Sequence, residues 1–481
     1  MLRVAMRGLS VISQLILVRY LTPADFGLVA ASSAAYAILD GLTETSMTLV
    51  VVQMPAPERY HYDTAWTLVT IRGLLVGAVL WFGAPLMADY LRDPRVLDIV
   101  RVLAIVPVVQ GMESVGMMRL QRDLRFSRIF FYQLFNKGVG FLVAIPLVFI
   151  YRNYWALVLG GVAARLVAIP LSYMLAPYRP NLTLRGFGVM FDFSKLLLIT
   201  NVLTMADNFL MPMLLGRVGT LREVGLYQVS RDFAALPASE IAAPIRGPMY
   251  AGYARVADVP AVLAQQFLTG LGVLVMVIVP ISAGIAVTAP FIVSVVLGAN
   301  WDGAAAVLVL AAVYTLFDAI GHASGGIYMV RHAQRPYASI MAGCLLLRIA
   351  LVVPATIMGG LTAAMAMMAA TAIFNAFLWF SRLRPLIGVT WSDITGPTWR
   401  SFAAAAIMVS VVLAAELAWP RYEGSVATLV QWMSLCLLGA EVHIGTQYFL
   451  WLHQRKPIGP ETRLLEKTIP LIARLRLAVG L

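Results

Sequence analysis

About 14 stretches of roughly 20 mostly apolar residues recur along this chain, and that is the length a helix needs to cross the hydrocarbon core of a bilayer. They fall near residues 2–20, 27–52, 64–88, 97–118, 129–150, 154–176, 191–215, 224–245, 264–297, 304–330, 337–357, 361–381, 401–418 and 427–452. Lipid offers no hydrogen bonds, so each run has to satisfy its own backbone, and a helix does that. The run 264–297 is too long for one straight span and holds Pro280 and Pro290; a kinked helix, or a helix followed by a short re-entrant turn, is expected there. Composition removes the competing classes. Of the 481 residues 60% are hydrophobic and 12% are charged, whereas a soluble domain carries about 25% charged residues. A soluble enzyme, a disordered chain and a disulfide scaffold are thereby excluded. Cys344 and Cys436 both lie within apolar runs, and the five histidines show no metal-ligand spacing, so neither a metal nor another cofactor is expected.

The net charge of +12 describes loops, not a nucleic-acid partner. With the N-terminus placed inside, the inner segments hold 23 Lys and Arg and the outer ones 7. That bias predicts a multi-pass membrane protein with both termini in the cytoplasm. The connections are short, so no large extramembrane domain is expected. The tail 454–481 sets Arg463, Lys467, Arg474 and Arg476 among leucines and isoleucines, a pattern that suits an amphipathic helix on the inner leaflet.

An internal repeat organises the spans. The segment RYLTPADFGLVA begins at Arg19 and RVGTLREVGLYQ at Arg217. Arg19, Thr22, Asp25, Gly27 and Leu28 align with Arg217, Thr220, Glu223, Gly225 and Leu226 at a constant offset of 198 residues. Thr22 or Asp25 can cap the helix that follows, and Gly27 allows close packing. Six spans separate the two motifs, an even number, which gives a parallel repeat. The expected fold is an all-α integral membrane protein with two six-helix lobes around a central cavity. The lobes take residues 1–185 and 186–385, with two appended helices in 386–453 and the cytoplasmic tail 454–481.

The string RYLTPADFGLVA resembles the signature after the first helix of the Wzx-type oligosaccharide flippases of the polysaccharide transporter family. That family belongs to a superfamily with the multidrug extruders and the lipid II flippases. The second-half run Asp207, Gly216-Arg217 and Val224-Gly225-Leu226-Tyr227, with Pro237 and Pro244 beyond it, is similar to the same family. The lead before the first motif is shorter than is usual there, and the first span is expected to lack its leading turn. The resemblance implies a two-lobed, alternating-access transporter. It also implies a cargo of oligosaccharide on undecaprenyl diphosphate, moved from the inner to the outer leaflet for surface polysaccharide synthesis. A proton or sodium counter-ion, membrane lipids and a polysaccharide polymerase are the further partners it implies.

Six bases lie inside spans: Arg72, Arg101, Lys137, Arg165, Arg231 and Arg348. A charge at mid-bilayer costs about 2.5–3.5 kcal/mol on insertion scales, so it faces a wet cavity or a partner. A diphosphate gives a reason for a cationic cavity, and Arg72, Lys137, Arg165, Arg231 and Arg348 are the candidate substrate-binding residues. Arg101 lies near a helix end, where it can snorkel. The competing reading is salt bridging, since acids inside the spans suffice to pair every base. Asp40 and Glu44 share a helix face; they either hold a proton between them or pair with a base such as Arg72. Asp318 and His322 are also four apart and form either a proton relay or a hydrogen bond at a packed crossing. Asp207, near Asn201 and Asn208, is placed for a cation or a sugar hydroxyl. Asp40, Glu44, Asp207 and Asp318 are therefore the candidate ion-coupling residues. Two other functions remain open. A drug or metabolite extruder would favour an acidic cavity. A membrane polymerase or ligase would need acid/base residues in outer loops that here are short.

Overall fold

The computed structural model describes residues 2–44, 47–54, 56–239, 249–250, 252–419, 425–454 and 461–462. The expected tail helix lies almost wholly outside these residues. Among the described residues there is no β-strand. The principal helices are α1 (Leu2–Tyr20), α2 (Pro23–Thr43), α3 (Met47–Gln53), α4 (Arg59–Leu91), α5 (Arg95–Leu103), α6 (Ile105–Gly111), α7 (Gly116–Arg122), α8 (Phe126–Tyr151), α9 (Trp155–Leu175), α10 (Phe187–Val218), α11 (Leu221–Ala234), α12 (Pro260–Val287), α13 (Ala304–His322), α14 (Gln334–Ile387), α15 (Trp399–Ala418) and α16 (Ser425–His453). Nine of the described helices are long and apolar enough to span a bilayer. The chain is a multi-pass membrane protein.

Expected spans and helices differ where local chemistry intervenes. Apolar runs 337–357 and 361–381 form one 54-residue helix, α14, interrupted at Gly360 with φ 63° and ψ −156°. A side chain would resist that backbone, so glycine permits the break between two spans. The run 97–118 is divided into α5, α6 and the start of α7. Pro107 stands in the first turn of α6, where its missing N–H costs least. The long run 264–297 forms α12, then a π-helical turn at Ile292–Leu297.

The chain forms two compact units, Met1–Gln228 and Val229–Leu481. The first extends past residue 185 because α10 packs along α2: Met205 lies against Gly41, and Gly216 against Ala31. Both copies of the repeat motif therefore lie in the first unit. Each opens its helix with the same capping box. At α2 the Asp25 carboxylate accepts from the Thr22 N–H at 3.0 Å and from its hydroxyl at 2.6 Å, while Thr22 Oγ1 accepts from the Asp25 N–H at 3.3 Å. At α11 Glu223 accepts from the Thr220 N–H at 2.8 Å, and Thr220 Oγ1 accepts from the Glu223 N–H at 3.2 Å. These bonds satisfy donors that a helix start otherwise leaves open.

The first unit is inside-out in the way lipid demands. On α4, Leu75, Phe82 and Leu86 are exposed, while Tyr62, Ala65, Gly73, Val76 and Leu80 are buried. The segment between α9 and α10 is strapped along the start of α4. The Tyr178 hydroxyl donates to Asp63 Oδ1 at 2.9 Å and the Asn181 N–H to the same oxygen at 3.2 Å. The Thr183 N–H donates to Thr67 Oγ1 at 3.1 Å, and the Thr64 hydroxyl to the Arg185 carbonyl at 2.7 Å. Arg119 sits over the rings of both Tyr62 and Tyr178, at 4.8 and 5.0 Å. In the second unit an apolar core runs through Phe267, Leu271, Val275, Ile327, Tyr328, Trp379 and Leu383.

A polar chamber as the candidate functional site

Tyr36, Asp40 and Glu44 recur at helical spacing along one face of α2 and its end,. α4 presents Arg72 to that face. The Arg72 guanidinium donates to Glu44 Oε2 at 2.5 Å through one nitrogen and to Asp40 Oδ1 through the other. All three side chains are partly buried, and Arg72, at 15% exposure, is the most enclosed. Of the two readings open for Asp40 and Glu44, the pairing with Arg72 is the one seen. One guanidinium stands between two carboxylates, so the trio carries a formal negative charge.

The polar groups continue from α2 toward α8. The Tyr36 hydroxyl donates to Gln110 Oε1, at the end of α6, at 2.9 Å. Glu113, in the link from α6 to α7, accepts from the Tyr132 hydroxyl of α8 at 2.7 Å. Burial makes such bonds worth keeping, because a polar group left unpaired in an apolar helix bundle is costly. Arg165 is exposed on α9, and its charge acts on Tyr36, Asp40, Glu113 and Tyr132 together. Among the described residues Arg165 makes no ion pair. Lys137 is exposed on α8, a turn beyond Tyr132.

Glu44, Arg72, Gln110, Glu113 and Tyr132 border a chamber of about 280 Å³ inside the first unit. Its walls come from Glu44 at the end of α2, Trp66, Val69 and Arg72 of α4, Gln110, Glu113 and Ser114 around the α6–α7 link, Gln121 of α7, and Tyr132 and Gln133 of α8. The volume is near the lower end of the ~300–1,000 Å³ of small-ligand sites. Sequence reasoning found Arg72 and Glu44 but passed over the glutamines. An uncharged amide does not stand out against an apolar run as a charge does, and only its recurrence at 110, 121 and 133 signals it.

The second-unit candidates are arranged differently. Arg348, on α14, is buried; its guanidinium lies 3.7 Å from Asp318 Oδ1 of α13 and 5.2 Å from the Tyr314 ring centre, with the Tyr314 hydroxyl at 3.4 Å. His322 Nδ1 lies 2.9 Å from the Asp318 carbonyl oxygen and 3.6 Å from its carboxylate. Asp318, His322, Tyr314 and Arg348 thus form one cluster that ties α13 to α14. Asp207 is half-buried on α10, and Arg231 is half-buried on α11. Arg101 stacks on Trp81 at 5.5 Å. Among the described residues no group of His, Cys, Asp and Glu has the geometry to hold a metal.

Residues 16–306 match the family described as polysaccharide biosynthesis protein. The chain is 21% identical to the lipopolysaccharide biosynthesis protein WzxC of Escherichia coli (strain K12), over 82% of this chain and 81% of that one. It is 23% identical to the succinoglycan biosynthesis transport protein ExoT of Rhizobium meliloti (strain 1021), over 63% and 62%. Its fold is similar to the solved structure of the lipid II flippase MurJ in an inward closed conformation, with a TM-score of 0.76, 11% identity and coverage of 94% of this chain and 98% of that one. That likeness identifies an all-helical membrane transporter fold, and the matched span, more than half of the chain, assigns the sequence: this protein belongs to the polysaccharide biosynthesis protein family.

Proposed function

We propose that this protein is a flippase, not an enzyme. Its cargo is an oligosaccharide repeat unit on undecaprenyl diphosphate, and the direction is from the inner to the outer leaflet of the bacterial cytoplasmic membrane. The observation that carries the reading is the polar chamber with Arg165 beside it, set in a unit whose helices otherwise present apolar side chains. Charge and amide groups are expensive in a membrane bundle, and a polar cargo that has to cross is the physical reason to keep them. The biosynthetic names of WzxC and ExoT support polysaccharide export. In this reading the lobes are 1–185 and 186–385, with 386–453 appended, and both termini are cytoplasmic.

The cargo enters from the inner leaflet with its lipid tail still in the bilayer. Arg165 offers a planar fork to the phosphate oxygens and Lys137 adds a point charge; Arg231 is the corresponding substrate-binding candidate of the second half. Arg72 holds Asp40 and Glu44 in place. Asp40, Glu44, Asp207 and Asp318 are the acids through which a proton or sodium gradient drives the return step. The product is handed to a polysaccharide polymerase at the outer face. The test is deletion of the gene in its host, followed by lipid extraction. Accumulation of complete lipid-linked repeats on the inner leaflet, with surface polysaccharide lost, is the expected result. Normal intermediates together with new sensitivity to cationic compounds would replace the reading with a drug extruder.

A further inference from the structure

The chamber in the first unit does not have the chemistry of a phosphate site. Its ionic lining is Glu44, Arg72 and Glu113, with Asp40 behind Arg72, so the formal charge is negative and a diphosphate is repelled. An organic cation fits no better. Glu44 is already joined to Arg72, and Glu113 lies in the field of Arg165. A cation also supplies donors only, which would leave amide N–H groups facing it.

What remains is neutral hydrogen-bonding capacity. Among the described residues the side-chain amides of Gln121 and Gln133, the Gln110 amide nitrogen and Glu113 Oε1 make no hydrogen bond. Each amide both donates and accepts, and so does each hydroxyl of a sugar. Trp66 supplies an aromatic face within the same walls, suited to the C–H face of a pyranose ring. Arg165 lies close enough for its charge to act on Glu113 and Tyr132, which border the chamber. A cationic fork next to an amide-lined hollow repeats the order of groups in a sugar diphosphate.

We propose that this chamber is a carbohydrate subsite, which takes a sugar ring of the cargo through Gln110, Gln121, Gln133 and Glu113 while the diphosphate stays outside at Arg165. The inference rests on the flippase reading and adds to it where the sugar is recognised. Loss of hydroxyl contacts discriminates strongly at such a site, because its own polar groups are then left unpaired.

The experiment uses the full chain in lipid nanodiscs and two probes. One is the repeat-unit oligosaccharide released from the host's lipid-linked pool by mild acid, treated with phosphatase and tritiated at its reducing end. The other is inorganic pyrophosphate. The variants are the double Gln121→Leu/Gln133→Leu, the milder Gln133→Asn, and Arg165→Ala. The double variant is expected to bind the oligosaccharide about tenfold more weakly, the loss of two neutral hydrogen bonds, with pyrophosphate binding unchanged. Gln133→Asn, which keeps the amide and shifts it, should show a smaller loss in the same direction, and Arg165→Ala should show the reverse selectivity. Wild-type sugar affinity in the folded double variant would overturn the subsite. So would an absence of sugar binding by the wild-type protein in a host that needs the gene for export, and there the flippase reading would stand. Sugar binding lost in the double variant while the deletion strain exports normally would sustain the subsite and end the flippase reading instead.

Discussion

Gly27 and Gly225 meet backbone to backbone. A methyl group on Gly27 would fall 1.6 Å from the Leu221 carbonyl oxygen, and one on Gly225 would fall 1.8 Å from that of Pro23. The two glycines occupy the same position in the two copies of the repeat, so the capped helix starts α2 and α11 touch through the residue that both copies share. Either substitution to Ala should separate the pair. We expect each to destabilise by about 1–3 kcal/mol, the usual cost of overpacking, and to abolish surface polysaccharide export. Gly161→Ala, at a position with open space around its Cβ, should be neutral. Thermal unfolding in detergent and a surface polysaccharide assay check both statements; stable, active Gly27→Ala protein would contradict them.

Arg72 and Arg165 should respond to alanine in opposite ways. Removing Arg72 leaves Asp40 and Glu44, both partly buried, without their shared cation, and a carboxylate left without its partner in such a setting is destabilising. Arg72→Ala should therefore lower expression and melting temperature, and adding Asp40→Asn and Glu44→Gln should restore the fold. Arg165→Ala should leave the melting temperature within a degree or two of wild type and still stop export. Leaflet-resolved lipid analysis beside a melting curve separates the two; an unstable Arg165→Ala protein would move that residue into the structural class.

The strap on α4 gives an alkaline signature. Burial, followed by the bond to Asp63, pushes the Tyr178 hydroxyl up to about 12 from an ordinary 10.0. The folded protein thus keeps a proton that the unfolded chain releases first. Its contribution to stability is complete below pH 10 and is lost as pH rises toward about 12. Tyr178→Phe should flatten the fall of stability across that window. An unchanged alkaline unfolding profile in the variant would remove Tyr178 from the account.

Arg400 and Glu461 form a buried bidentate pair, with N–O distances of 2.9 and 3.0 Å. Gln447 Nε2 donates to the same carboxylate at 2.8 Å, and Arg400 also donates to Gln454 at 2.7 Å. The pair holds the segment at 461–462 against α15 and α16. Arg400→Leu should release it, which limited proteolysis would detect as early loss of the C-terminal residues. The double variant Arg400→Leu/Glu461→Leu should be less sensitive than either single change, since no buried charge is left unpaired. Equal cleavage of wild type and Arg400→Leu would argue against the clamp.

Much of the helical framework was legible because its causes are local. An apolar run of span length, a Thr with an acid three residues later, and a glycine just inside the helix can each be read without knowing the fold. The repeat was legible for the same reason, although the direct contact of its two glycines was not. Side-chain partners depend on which helix faces lie together. Arg72 therefore had several acids open to it, and Arg348 gave no sign that Tyr314 and Asp318 would enclose it. The divided span at 97–118 turns on where Ala104 and Pro107 fall within one turn. The strap at 178–185 was unreadable for another reason: its bonds are made by backbone groups and by Thr, Tyr and Asn side chains that look like those of any loop.

The Arg72 trio also bears on how the protein is made. Asp40 and Glu44 leave the ribosome with α2, before α3 and α4, and Arg72 follows only in the middle of α4. During that interval two carboxylates at the C-terminal end of α2 have no cation to answer them, and an unpaired charge in an apolar setting is costly. Stable integration of α2 therefore has to wait for α4. The helices from α2 to α4 are expected to enter lipid as a group, with the ion pairs of Arg72 already made.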